Sequence, residues 1–226
     1  MNITALTPQP RNPGRWNLFL DGAFVFALDG AVVLEHGLAA GQELTAEAAE
    51  RLRTASAEQD LYAAALHYLA ARPRSRAEVR RRLLRARPQR PAPEADTVER
   101  VLERLERASL LNDQEFAGFW IENRERFSPR SARALGMELR QRGVDRATVD
   151  AATDATRDDE RALAAGRQRL RSLVGLDFNA FRERLGGFLL RRGFSYSVAR
   201  GAVRALWAES HGDETPDGDR AEDGED

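Results

Sequence analysis

At 226 residues with no cysteine, the chain can bury a core without disulfides, and it lacks thiolate nucleophiles and cysteine metal sites. Its net charge of −1 hides an asymmetry: residues 72–90 carry nine arginines against one acid, Glu78, a local +8, whereas residues 209–226 carry nine acids against one arginine, Arg220, a local −8. Taking that −8 from −1 leaves +7 for residues 1–208, and because all 35 basic residues are arginine, each cationic contact is a planar fork suited to phosphate or carboxylate. The opening M-N-I-T-A-L-T-P-Q-P-R has no apolar signal-peptide core, and the longest charge-free apolar run of the helical part, Leu61–Ala71, is too short to span a bilayer. A soluble cytoplasmic protein is expected.

The first elements are β-like. Ile3–Leu6 is a candidate strand, and Arg15–Leu20 and Ala23–Leu28 flank Asp21-Gly22, a two-residue type I′ turn signal. Such a turn pairs Leu20 with Ala23, Phe19 with Phe24 and Leu18 with Val25. One face then carries Trp16, Leu18, Leu20 and Val25, the other Phe19, Phe24, Phe26 and Leu28. Both are apolar, so a helix covers the second face or it is a docking surface.

From Thr45 the chain reads as helix. A short helix starts at Thr45, and a second, Gln59–Ala71, places Leu61, Ala65, Leu66 and Leu69 on one stripe. Ser75-Arg76-Ala77-Glu78 has the form of a capping box and opens a helix rich in arginine, ended by Pro88, Pro91 and Pro93. Val79, Leu83 and Ala86 form its apolar seam. Arg76, Arg80 and Arg87 flank the seam, Arg82 lies on its other side, and Arg81 and Arg85 face away. Asp96–Arg107 follows, with Val98, Val101, Leu102 and Leu105 in register, then Asn112–Arg126 with Phe116, Phe119, Trp120 and Ile121. Ser128-Pro129 reads as an N-cap with proline at the first helical position, for a helix running to Arg142 and stopping at Gly143. Arg161–Leu173, a helix capped by Asp177 and ending at Gly193, and one from Ser195 through Trp207 complete the body. Residues beyond Ser210 have too little apolar content to order and are expected to be disordered.

The helix ends repeat. Leu84-Arg85-Ala86-Arg87-Pro88, Leu139-Arg140-Gln141-Arg142-Gly143 and Leu189-Leu190-Arg191-Arg192-Gly193 align, and each precedes a helix with a valine near its start: Val98, Val149 and Val198. A period near 50 residues with three helices per unit is a repeat architecture, in which each unit buries its apolar face on a neighbour.

These residues carry a resemblance to the RecX family, regulators of the RecA recombinase. A-L-H-Y-L-A-A-R, Ala65–Arg72, leading to S-R-A-E-V, Ser75–Val79, resembles the family's first repeat, with Val79 where leucine is usual. L-L-N-D-Q-E-F-A, Leu110–Ala117, and E-L-R-Q-R-G-V, Glu138–Val144, are similar to the second, and F-L-L-R-R-G-F, Phe188–Phe194, to the third. W-N-L-F-L-D-G-A-F-V-F-A-L, Trp16–Leu28, resembles the β-extension that many members carry. The glycine common in the family near Ser128-Pro129 is missing here. The resemblance implies a regulator of recombination, DNA repair and the SOS response that destabilises the RecA–DNA filament, blocks its extension or hinders its ATP turnover.

The candidate binding residues are Arg74, Arg76, Arg80, Arg81 and Arg85 on the first repeat, Arg130, Arg133 and Arg140 on the second, and Arg191 and Arg192 on the third, with Arg182 and Arg184 nearby. Stacked with similar rotation, equivalent helices would line one curved basic groove for an anionic partner. The opposing reading of any one arginine is a solvated face paired to glutamates. Phe119, Trp120, Phe127 and Tyr196 are possible stacking platforms for single strands, although core packing is the ordinary fate of each; of the adjacent Phe119 and Trp120, one should face outward. Catalysis finds no support: His36, His67 and His211 lack metal-ligand spacing, and no phosphate-binding glycine loop or nucleophile elbow occurs.

The expected fold is mainly α, with tandem three-helix repeats in an elongated curved array preceded by a small antiparallel β-hairpin region. Its expected parts are 1–56, a β-extension with a short helix; three-helix repeats at 57–108, 109–156 and 157–210; and an acidic tail, 211–226. The expected function is negative modulation of RecA by binding the RecA–DNA filament through the arginine-rich face, inhibiting ATP hydrolysis and strand exchange. The expected protein is non-enzymatic and monomeric, has no cofactor or metal, binds DNA weakly and does not bind membranes. The alternatives are a general DNA-binding protein or transcriptional regulator acting without RecA, and an interaction scaffold using the aromatic hairpin face.

Overall fold

The computed structural model describes residues 1–85 and 92–211. Ala86, Arg87 and Pro88 of the first aligned repeat segment, Pro91 and the acidic tail beyond 211 lie outside the described residues. The chain divides into two compact units, Met1–Asn112 and Asp113 onward.

In the first unit, β1 (Ile3–Gln9), β2 (Asn12–Leu20) and β3 (Ala23–Asp29) form an antiparallel sheet in that order. The Asp21-Gly22 turn forms as expected, with φ of 49° and 85°, a left-handed pair that glycine adopts freely and aspartate tolerates. The pairing beyond it differs. Leu20 meets Ala23 and Phe19 meets Phe24, but Leu18 meets Phe26, because one residue, Val25, bulges out of β3. The bulge reverses the faces of everything after it. Phe26 and Leu28 therefore join Trp16, Leu18 and Leu20 on the inner face, and Val25 is exposed. That face is covered by α1 (Gly30–Glu35) and the first half of α2 (Ala46–Leu69), through Val32, Val33, Ala49 and Leu52. On the opposite face Phe24 is exposed and packs edge-to-face on Phe19, 5.9 Å between centroids.

The two helices expected between Thr45 and Ala71 are one 24-residue helix, which runs unbroken through the expected boundary at 56–57. Thr45 caps it, its hydroxyl accepting from Ala48 N, and no proline or glycine interrupts it. The buried Ser56 hydroxyl accepts from Asp29 N and donates to the Ala27 carbonyl, tying the middle of the helix to β3. Its second half enters a different core with α3 (Arg76–Leu84) and α4 (Ala95–Arg107), built on Ala65, Val79, Leu83, Val98, Val101, Leu102 and Leu105. Tyr62 and Tyr68 pack there, whereas Leu66, expected on the stripe, lies outside that core and is 37% exposed. Ser75 caps α3 as its sequence announced, accepting from Glu78 N at 3.1 Å.

The second unit holds two three-helix groups. α5 (Asp113–Phe127), α6 (Ala132–Gln141) and α7 (Arg146–Ala152) enclose Phe116, Ile121, Leu135, Leu139, Val144 and Val149. α8 (Asp158–Arg167), α9 (Phe178–Arg191) and α10 (Tyr196–His211) enclose Ala162, Phe181, Leu185, Leu189 and Leu206. The expected helix Arg161–Leu173 is α8 plus a short 3-10 turn, Leu170–Ser172; α8 starts earlier because Asp158, Asp159 and Glu160 suit the positive end of its dipole. Asp177 and Ser195 cap α9 and α10 as expected.

The cap of α6 is Ser131, not Ser128. Arg192 Nη1 donates to Ser128 Oγ at 3.1 Å and to the Pro129 carbonyl at 2.8 Å, so this stretch is held as a connector and the helix begins after it. The two groups of the second unit are locked together nearby. Asp158 accepts from Ala132 N at 2.8 Å, and the buried Arg161 bonds Glu125, Asp158 and the Asp154 carbonyl.

Candidate functional site

In the first unit the apolar seam of α3 is buried through Val79 and Leu83, which fixes where its arginines can go. Arg76 turns onto α4, donating to Glu99 at 2.9 Å and Glu106 at 2.8 Å, and Arg80 donates to Glu99 at 2.6 Å. Burial works against the Arg76 cation, but its hydrogen bonds to Glu99 and Glu106 and their charges outweigh it and raise its pKa. Glu99 is held below the usual carboxylate range, mainly by the hydrogen bond from Arg80. These two arginines therefore join helices. Arg74 lies half-buried with its guanidinium 4.1 Å from the Tyr68 ring centroid, and Arg82 covers the same ring at 5.7 Å. Arg81 and Arg85 are exposed.

In the second unit Arg133, Arg140 and Arg191 are exposed, as are Arg182 and Arg184. Arg130 and Arg192 belong to a denser arrangement that the sequence did not single out. Glu138 is at its centre. Its Oε2 accepts from Trp120 Nε1 and from Arg124 Nε, both at 2.8 Å, and Arg130 Nε stands 3.1 Å from Oε1, as an ion pair without hydrogen-bond alignment. Arg124 and Arg142 both lie on the Trp120 ring, at 4.6 and 3.6 Å from its centroid. Phe188 likewise carries two cations, Arg192 at 4.5 Å and Arg169 at 4.9 Å. Burial lowers the pKa of Arg192, and the guanidiniums of Arg130, Arg169 and Arg124 lower it further. Crowded like charge is thus a physical property of this site.

Phe119 and Trp120 are both half-buried, so neither is the outward platform expected; Trp120 is committed to the core and to Glu138. Phe127 and Tyr196, expected to be packed, are 63% and 65% exposed. Half of the dense arrangement was legible: Trp120 with Arg124 and Phe188 with Arg192 stand four apart on one helix, where side chains meet. Arg142 and Arg169 reach the same rings from other elements, and no spacing announces that.

Among the described residues no group of His, Cys, Asp or Glu is placed to hold a metal ion, and no helix is long and apolar enough to cross a membrane.

Comparison with known proteins matches four segments to one family. Residues 1–45 fit the regulatory protein RecX N-terminal domain; residues 62–87, 112–152 and 157–203 fit the RecX first, second and third three-helix domains. The chain is 37% identical to the regulatory protein RecX of Streptomyces coelicolor over 139 residues, 60% of this chain and 73% of the relative. It is 28% identical to that of Lacticaseibacillus casei over 207 residues, 90% and 76% of the two chains. A crystal structure of a regulatory protein RecX superposes with a TM-score of 0.66 at 23% identity, covering 88% of this chain and 97% of the other. RecX from Lactobacillus salivarius superposes at 0.55 and 21%, covering 67% and 97%. These two likenesses speak to the fold.

Proposed function

The chain belongs to the RecX family of regulatory proteins, and on that premise we propose that it is a negative modulator of the RecA recombinase. It binds the RecA–DNA filament through arginines of its three helical repeats and lowers ATP hydrolysis and strand exchange. It does so in the cytoplasm, by binding alone. The observation that carries this reading is the density of guanidinium groups within each unit: in the second, the cations crowded around Glu138 and Phe188 with Arg133, Arg140 and Arg191 exposed, and in the first, Arg81 and Arg85 exposed on or next to α3. A surface that keeps like charges together stands ready for a polyanion, and a nucleoprotein filament is one.

The test is RecA ATP hydrolysis on single-stranded DNA, with this protein titrated from far below the RecA concentration. Inhibition at substoichiometric amounts that persists when excess bare DNA is added is the expected result. Inhibition only near saturation of the DNA, relieved by more DNA, would mean competition for the lattice, and a general DNA-binding protein acting without RecA would be the better description. Salt separates the two as well. Contact with about five phosphates gives a log–log slope of about −3.5 on single strands, whereas a contact to the recombinase outlasts the salt that removes bare DNA.

A further inference from the structure

We propose that the joint between the second and third three-helix groups is a phosphodiester site for single-stranded nucleic acid, formed by Arg169 and Arg192 on the ring of Phe188 with Arg130 next to the connector that Arg192 holds. The assignment deepens the filament-binding reading above and rests on it.

Three observations converge. First, two arginines share one carboxylate at the joint, where two share two on α3. On α3, Arg76 and Arg80 share two carboxylates, Glu99 and Glu106. At the joint, Glu138 pairs with Arg124 and Arg130, while the charges acting on Arg192 are those of Arg130, Arg169 and Arg124. Gathering these cations costs free energy that a bound anion returns. Second, two cations reach one aromatic ring from different parts of the chain. Arg192 approaches the Phe188 ring from its own helix, and Arg169 from the end of α8. Phosphates recurring along a strand can answer several such cations. Third, a cleft of about 580 Å³ adjoins the cluster, with Phe188 and Leu185 among its lining and Arg169, Arg184, Arg191 and Ser172 also bordering it. Its volume lies in the range of ligand pockets. A backbone held on the arginines can turn a base toward Phe188, the arrangement by which single strands are bound without sequence preference. Glu183 also lines the cleft and limits how closely the backbone approaches there.

Arg192 braces the Ser128-Pro129 connector, so the variants should spare it. The experiment measures binding of the full chain to fluorescein-labelled oligo(dT), without RecA, from about 50 to 200 mM salt. The variants are Arg169→Gln, at an exposed position, and Arg130→Gln with Arg169→Gln. Arg146→Gln, whose side chain is 88% exposed on α7, is the control. Each lost phosphate contact should flatten the log–log salt slope by about 0.7, so the double variant should lose about 1.4 and the control nothing. Arg169→Gln alone should lose about half of that, which holds the test open should the double variant unfold. RecA inhibition is read in parallel. Unchanged slope and affinity in the variants overturn the site, whether or not RecA inhibition survives; loss of inhibition with unchanged oligo(dT) binding would reassign the cluster to a protein surface. A flattened slope supports the site even if the wild-type chain fails to inhibit RecA, and in that case it is the modulator reading that falls.

Discussion

Gly193 ends α9 with φ of +90°, and a Cβ built there would lie 2.7 Å from Ser131 Oγ and 2.9 Å from Ala134 Cβ. The residue therefore serves two ends at once: a left-handed helix stop and the close approach of α9 to the start of α6. Gly175 shares the positive φ, at +79°, but its Cβ would meet open space. Gly175→Ala should cost about 1 kcal/mol, the backbone penalty alone, and Gly193→Ala about 2 kcal/mol or more, since Ala134 and Ser131 must also give way. Thermal unfolding of the two variants measures the difference. Equal losses would mean that the joint yields freely. The R-R-G-F ending could be read as a helix stop from the chain; that it is also a contact could not, because Ser131 lies 62 positions away.

At the scale of elements, β3 shows how a local rule can hold and its extrapolation fail. The turn type was right, yet one bulged residue inverted the faces beyond it. The two registers make opposite predictions. Leu28 is fully buried and Val25 is 43% exposed, so Leu28→Thr should cost about 2–3 kcal/mol and Val25→Thr within about 0.5 kcal/mol. With Leu18 and Leu20 on the buried face, a regular hairpin would put Val25 inside and Leu28 outside and give the reverse order, and chemical denaturation decides. The pairing of α3 with α4 carries a pH dependence. The folded pKa of Glu99 lies below its ordinary value, chiefly through Arg80. Its contribution is therefore present above the ordinary carboxylate pKa and is lost as pH falls through the depressed folded value. Glu99→Gln should be less stable than the parent at neutral pH, with the gap closing on acidification. A gap constant down to acid pH would show that the ion pairs with Arg76 and Arg80 contribute nothing there.

For the whole molecule the balance of charge matters more than its total. The described body bears the arginine excess, and the last residues bear the acid. Removing residues 212–226 takes away eight acids and one arginine. If this segment competes with nucleic acid for the arginines, its deletion tightens binding to DNA at low salt, and the gain shrinks as salt rises and screens the charge. Equal affinity of the two forms at low salt would remove the tail from the mechanism. The comparison is made by titrating labelled DNA at several salt concentrations.

The chain by itself determined many of the features that depend on neighbours a few residues apart. Ser75, Asp177 and Ser195 cap their helices, Asp21-Gly22 turns the hairpin, and the valine and arginine-glycine markers count out the three-helix repeats. Hydrogen bonds across three or four residues are nearly independent of the rest of the fold, so short motifs report them. Tertiary structure alone decided the fate of the arginines. Arg76 was one of many on its helix until Glu106, 30 residues on, met it, and Arg192 became a brace and part of a cationic cluster only when Ser128, Arg130 and Arg169 were brought beside it. A guanidinium's role is set by which charge reaches it, and long side chains on packed helices choose partners across space that sequence spacing does not encode.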